Sequence, residues 1–253
     1  MKITYLGTGT SQGIPIIGST HPVCLSENIK DKRLRVSVLI EINGKNIVID
    51  CGPDFRQQML TNPIPRLDAI VFTHEHSDHT AGLDDIRPFF FKQGAINLYG
   101  NERVFNSLKQ RFAYIFETEN KYPGAPDVVL NPIKNKPFIV NGISIIPIRV
   151  LHNTLPVFGY RIENFAYITD VKTVPDEELH KLKNLEVLTI SALRIEPHAS
   201  HFNLEEALYF VEKVKPKKAY FTHISHLLGF HDEVESQLPD HIHLAYDNLK
   251  ITL

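Results

Sequence analysis

Between Phe72 and Thr80 the chain reads Phe-Thr-His-Glu-His-Ser-Asp-His-Thr, and no other stretch constrains the fold as much. His74, His76, Asp78 and His79 are all metal-ligating types, gathered within six consecutive positions. The apolar run Ala69-Ile70-Val71-Phe72 before them predicts a short buried strand that delivers the histidines to a sheet rim. Side chains alternate along extended backbone, so His74 and His76 share one side. A turn after them swings Asp78 and His79 toward a second position, and Gly82 marks a loop leading into a helix. Imidazole and carboxylate donors suit zinc, manganese or iron(II). Packing alone gives a strand end no use for four such side chains, whose burial is costly. The run is therefore read as a metal site rather than a surface histidine cluster.

Two metals need more donors than four, and three further candidates stand where predicted strands end. His152 follows 146–151, Asp170 follows 165–169 and His223 follows 219–222. A single strand-end histidine is usually an ordinary packed or surface residue. Three such positions in a chain that already carries the 74–79 run point to ligation.

Short β-rich runs predict further strands over 3–7, 37–42, 46–50, 97–99, 143–150, 158–162, 165–168, 187–191, 242–245 and 249–251. Helical periodicity covers 54–60, 102–116, 176–182, 204–214 and 232–238. The stretch 122–137, with four prolines, is predicted to be a loop. Two β-rich halves, each with helices and no linker, predict one α/β domain over residues 1–253. Its expected architecture is an αββα sandwich, two mixed β-sheets packed face to face with helices outside.

The hydrophobic fraction of 43% and charged fraction of 22% belong to a soluble globular protein. A formal charge of −2 argues against polyanion binding, and no nucleic-acid partner is expected. The mixed run Lys30-Asp31-Lys32-Arg33-Leu34-Arg35 is read as a solvated loop or strand entrance. Cys24 and Cys51 make no disulfide framework, and Cys51, beside the Gly52 turn, is read as a small buried residue. The first residues lack a signal-peptide apolar segment, and no run approaches the roughly eighteen apolar residues of a membrane span. A cytoplasmic location without a membrane partner is expected.

The His-x-His-x-Asp-His motif, with His152, Asp170 and His223 in order, resembles the metallo-β-lactamase superfamily over nearly the whole chain. The resemblance implies the αββα sandwich and a dinuclear centre of two divalent ions, zinc or manganese or iron. It implies His74, His76 and His152 on one metal, Asp78, His79 and His223 on the other, and Asp170 bridging. Within that superfamily the chain looks most like the PhnP-like cyclic phosphodiesterase group. The stretches that carry this are 7–15 (Gly-Thr-Gly-Thr-Ser-Gln-Gly-Ile-Pro), 32–35, 50–56 and Thr222-His223-Ile224-Ser225-His226. Those relatives hold an accessory structural zinc on a Cys-x-Cys-x-x-Cys cluster and a later histidine. Here the aligned segment reads Ser19-Thr20-His21-Pro22-Val23-Cys24, so His21, Cys24 and His226 are the candidate ligands. A metal-free loop is the alternative, because Ser19 is a poor zinc ligand. A homodimer is implied by the resemblance only.

In Glu196-Pro197-His198-Ala199-Ser200-His201-Phe202-Asn203, His201 aligns with a histidine that phosphodiesterase branches use near the leaving group. Its ordinary pKa suits proton donation, although Asn203 also reads as a helix cap. His198 is the rival position. The expected function is hydrolysis of a small phosphodiester, cyclic ones included, by a metal-bridging hydroxide. Asp78 ligates and orients the nucleophile, and His201 serves as acid. The alternatives are a tRNA 3′-end endonuclease-like hydrolase and a non-hydrolytic metal-binding protein similar to the pyrroloquinoline quinone biosynthesis relative.

Overall fold

The computed structural model describes residues 1–253. It forms two compact units, each assembled from separated stretches of chain. The first takes Met1–Leu6, Ser37–Lys134 and Lys250–Leu253, and the second takes Gly7–Val36 and Asn135–Leu249. Each unit is organised on one seven-stranded mixed sheet with helices, which is the α/β class read from the sequence.

The sheet of the first unit contains β1 (Lys2–Gly7), β2 (Ser37–Ile42), β3 (Lys45–Ile49), β4 (Ala69–Val71), β5 (Ile96–Gly100) and β6 (Val128–Pro132). A strand from the far end of the chain, β14 (Lys250–Thr252), lies on the outer side of β1, giving the order β14-β1-β2-β3-β4-β5-β6. β2 and β3 form a hairpin over Asn43-Gly44, both at positive φ (50° and 72°), as a tight primed turn requires. β3, β4, β5 and β6 run parallel. Parallel strands covered on both faces read as continuous apolar runs, which is why Ile47-Val48-Ile49 and Ala69-Ile70-Val71 are wholly buried. The helix Glu102–Arg111 is capped by Asn101, whose side chain accepts from Val104 N, and it buries Val104, Phe105 and Leu108.

The second sheet has the order β13-β12-β11-β10-β9-β8-β7. Its strands are β7 (Phe138–Val140), β8 (Ile143–His152), β9 (Leu155–Ile162), β10 (Phe165–Ile168), β11 (Val187–Ser191), β12 (Lys218–Thr222) and β13 (Ile242–Leu244). β7 to β10 form an antiparallel meander, and β10 to β13 run parallel. The helix Leu204–Val214 opens with the capping box of Asn203 and Glu206, each accepting from the other's backbone N–H.

Two local expectations are corrected. The 102–116 helix breaks at Phe112 (φ −121°, ψ 42°) into Glu102–Arg111 and Ala113–Phe116. The proline-rich 122–137 segment contains β6, because Val128-Val129-Leu130 pairs with β5 at the sheet edge. Pro132 is tolerated there as the last residue of an edge strand, where its missing N–H breaks no central ladder.

In the second unit the segment Gly7–Val36 is held by a buried polar lattice. The Arg33 guanidinium donates to Thr8 Oγ1 (2.7 Å) and to the Ala245 carbonyl (2.5 Å), and meets His231 Nδ1 at 3.1 Å. Asp247 accepts from the Thr8 hydroxyl and from Leu34 N, and Asp31 accepts from His231 N. The backbone of Thr8 and Thr10 pairs with Ile224, so the lattice fixes the residue next to His223. Arg33, read above as part of a solvated run, is 3% exposed. Burial, then the Arg33 and Lys30 charges, push the His231 pKa down to about 4. Burial raises Asp247 to about 6 against its hydrogen bonds.

These two groups oppose each other in pH dependence, and a variant separates them. His231 stays neutral in the fold while the unfolded chain takes up its proton below about pH 6.5, so this contribution to stability falls as pH drops from about 6.5 toward 4. His231→Gln is expected to remove up to about 1.4 kcal/mol per pH unit from the slope of unfolding free energy across that window. Urea titrations of both proteins at several pH values check this; equal slopes would refute it.

Candidate metal centre

Histidine ligands reach a metal with one ring nitrogen, and the fold determines which by engaging the other. In the first unit β3 and β4 run parallel and end side by side, so Asp50 follows β3 and the histidine run follows β4 at the same sheet edge. Asp50 is fully buried at φ 65°. One carboxylate oxygen accepts from Thr73 N (2.8 Å), and the other accepts from the Thr73 hydroxyl (2.8 Å) and from His79 Nδ1 (2.7 Å). Because the Thr73 proton goes to Asp50, its oxygen is left to accept from His74 Nδ1 at 2.9 Å. One carboxylate thereby sets two imidazoles with Nδ1 protonated and Nε2 as the lone-pair nitrogen. Burial raises the Asp50 pKa, while His79 and Thr73 pull it down.

The His74 ring lies 4.5 Å from that of His76 and 4.1 Å from that of His79, and Asp78 Oδ2 is 3.2 Å from His79 Nε2. The four sequence-predicted residues of this run therefore form one cluster. A short helix, Ser77–Thr80, turns the chain there. Cys51 N donates to the His79 carbonyl, and Gly82 N donates to the Cys51 carbonyl. The approach is so close that a Cβ on Gly82 would stand 2.1 Å from the Gly52 carbonyl oxygen, which explains glycine at this position.

The second unit gathers its own set. β8, β10 and β12 point the same way, so His152, Asp170 and His223 all emerge at one edge of the sheet. Asp170 (φ 54°) and His223 (φ 56°) adopt left-handed backbone, a strain of roughly 1–3 kcal/mol each that turns the side chain as the strand stops. His223 Nε2 is 3.2 Å from Asp170 Oδ1, and His152 Nε2 is 4.0 Å from Asp170 Oδ2. His152 Nδ1 donates to the Ser200 carbonyl at 2.8 Å, again leaving Nε2 as the lone-pair nitrogen.

Ser200 belongs to the loop between β11 and the helix Leu204–Val214, and the loop is pinned by Phe202 N donating to the Val171 carbonyl. It carries His201, whose ring lies 4.4 Å from His152 and stacks on His223 at 4.9 Å. The ligand atoms of His152, Asp170 and His201 fall within 4.8 Å of one another. His201 is 8% exposed, its Nδ1 has no hydrogen-bond partner, and burial pushes its pKa down to about 3. Burial thus favours the neutral ring over the imidazolium. His198 stands 5.1 Å from His201, and its Nδ1 accepts from Ser200 N.

The third set is less compact. The rings of His21 and His226 meet edge to face at 4.7 Å. Cys24 is buried instead in a small apolar cluster with Ile14 and Val23. The Ser19 hydroxyl accepts from His21 N and His21 Nδ1 accepts from Val23 N, both in the service of the local turn. The sequence assigned no role to Asp50; the signals were its place directly after a buried strand and its membership of the 50–56 stretch that carries the family resemblance.

Donor chemistry and tautomers in both units fit divalent metal ions. Residues 45–224 match the model of the β-lactamase superfamily domain. A solved structure of a diphosphatase from the PhnP family is 41% identical, with a TM-score of 0.92 over 99% of this chain and 97% of that one. An octanoyltransferase from Porphyromonas gingivalis is 40% identical over 99% of this chain but 51% of its own length. A ribonuclease Z from Bacillus licheniformis is 26% identical over 75% of this chain and 60% of its own. The chain thus spans about half to three fifths of these curated relatives.

Asp50→Asn keeps the shape while removing the charge that holds two imidazoles in one tautomer. Metal affinity, measured by competition with a chromophoric chelator, is expected to fall about 10- to 100-fold. An unchanged affinity would show that Asp50 serves packing alone.

Proposed function

The chain belongs to the β-lactamase superfamily, and on that premise we propose a metal-dependent hydrolase acting on phosphoric diesters, with diphosphate diesters in the same class. A phosphorus bridging two organic groups and one bridging an organic group and a second phosphate present the same reacting centre, and differ in the leaving oxygen. The observation that carries the reading is the tautomer set at His74, His79 and His152, where Nδ1 is engaged by the fold and Nε2 is left as the donor. The whole-length likeness to a PhnP-family diphosphatase supports the substrate class.

The proposed metal donors are His74, His76, Asp78, His79, His152, Asp170 and His223, divided between two ions as the superfamily resemblance implies. Two divalent ions held by such donors would lower the pKa of water and offset charge on phosphoryl oxygens. Asp78 orients the attacking water through its carboxylate. Asp170 accepts from the Thr169 hydroxyl at 2.7 Å, which orients its carboxylate at the sheet edge. His201 faces the leaving oxygen and supplies its proton as that P–O bond breaks, while the attacking water forms the new P–O bond and gives up its own proton to solvent. Burial works against the protonated ring, and an anionic phosphoryl group beside it draws the pKa back up. His21, Cys24 and His226 are proposed as a weaker accessory zinc site, and a homodimer and a cytoplasmic location complete the reading. Octanoyl transfer is not proposed, since about half of that relative lies outside the match.

The test is an assay of the metal-reconstituted full chain on bis-p-nitrophenyl phosphate, cyclic phosphodiesters, substituted diphosphates and a tRNA precursor. Turnover of a small diester or diphosphate is expected. Bound metal without such turnover would overturn the proposal, and cleavage of the precursor alone would favour the ribonuclease Z likeness.

His201→Ala is expected to cut turnover about 10²- to 10⁴-fold while metal content stays at the wild-type level. Loss of metal in parallel would make His201 a ligand rather than an acid.

A further inference from the structure

The histidine run is gripped from a second side that the proposed function does not use. Glu75 stands between His74 and His76, and alternation along the extended backbone turns it away from them. Its carboxylate pairs with Arg103 Nε at 2.7 Å, from the start of the helix Glu102–Arg111. Arg111, the last residue of that helix, donates through Nη2 to the Glu75 carbonyl (3.0 Å) and to Thr80 Oγ1 (2.8 Å), and approaches Ser77 Oγ through Nη1 at 3.5 Å. Thr80 in turn donates to the His76 carbonyl at 2.7 Å. One guanidinium therefore spans the entry and the exit of the turn that carries Asp78 and His79.

The anchor behind it is firm. Val104, Phe105 and Leu108 bury the inner face of the same helix, while Arg111 is itself exposed. An exposed arginine that only decorated a helix end would point to solvent; this one spends its fork on a backbone carbonyl and two hydroxyls of one loop. Lysine could not reproduce the contact, because a single ammonium lacks the planar, spaced donors.

We propose that Arg111, seconded by Arg103, is a positioning residue that holds the 75–80 turn at the width its three metal ligands, His76, Asp78 and His79, require. The idea rests on the metal-binding part of the reading above and not on any particular substrate. Asp50 fixes the orientation of the His74 and His79 rings, whereas Arg111 fixes the separation of the two ends of the loop. Removing Arg111 leaves the core intact and lets the loop widen, so the loss appears in metal affinity before it appears in stability.

The experiment uses the full-length metal-free protein titrated with cobalt(II), followed by its d–d absorption, with affinities from chelator competition. Arg111→Ala and Thr80→Val are each expected to weaken cobalt binding about 10- to 100-fold. The double variant should be no more than about threefold weaker than the weaker single one, because both remove the same contact. The thermal midpoint of metal-free Arg111→Ala should stay within about 4 °C of wild type, as for a surface substitution. Affinity within twofold of wild type for Arg111→Ala overturns the proposal, as does a double variant whose loss is the product of the singles. A marked fall in the metal-free midpoint of Arg111→Ala overturns it too, by making the arginine a general stability residue. If Thr80→Val does not fold, the affinity and midpoint of Arg111→Ala decide alone. Wild type that takes up no cobalt would instead overturn the metal reading itself, and this inference with it.

Discussion

A carboxylate sealed from water at the end of β3 governs the first ligand set. Asp50 has no solvent to bond, so the Thr73 amide, the Thr73 hydroxyl and the His79 ring carry its hydrogen bonds. Each of those partners is thereby fixed in direction, and the Thr73 oxygen passes the constraint on to His74. The arrangement couples strand pairing to imidazole chemistry: Asp50 and Thr73 are in register only because β3 and β4 are parallel neighbours. Burying an ionised carboxylate is costly unless every lone pair is used, and here the residues that meet the requirement are also the ones that orient the ligands.

The second unit solves the same problem with backbone instead of a buried acid. Asp170 and His223 take left-handed conformations immediately after β10 and β12, and the Ser200 carbonyl orients His152. Positive φ at residues other than glycine is uncommon, and aspartate and histidine tolerate it better than branched or bulky side chains. In both units, then, parallel strands bring their carboxyl ends to one edge and the ligands occupy the first positions beyond the ladder.

Much of this was legible in the sequence because ligand types are rare and strand ends are marked by apolar runs. His74 to His79 announced themselves by density, and His152, Asp170 and His223 by position. Asp50 was hidden because its part depends on which strand lies beside β4, which no local pattern states. Arg103 and Arg111 were hidden for the same reason: they sit on an amphipathic helix where charged residues ordinarily face water, and only the packed structure turns them onto Glu75 and Thr80. Arg33 was misread as solvated because its run is rich in charge, whereas its own partners, Thr8, His231 and Ala245, come largely from the far end of the chain. The strand Val128–Pro132 was lost among prolines that the edge of a sheet accommodates.

The outermost pairing of the first sheet, Lys2 against Thr252, has a consequence for synthesis. β1 emerges from the ribosome 250 residues ahead of the strand on its outer side, the separation of Lys2 from Thr252. The sheet that carries the histidine run is therefore incomplete until β14 is made, and its closure joins segments far apart in sequence. Such contacts form late and slowly. A nascent chain stalled before β14 would expose one edge of β1 to other strands, which is the common template for misassembly. The short strand β14 thus decides when this edge of the sheet ceases to be vulnerable to its neighbours.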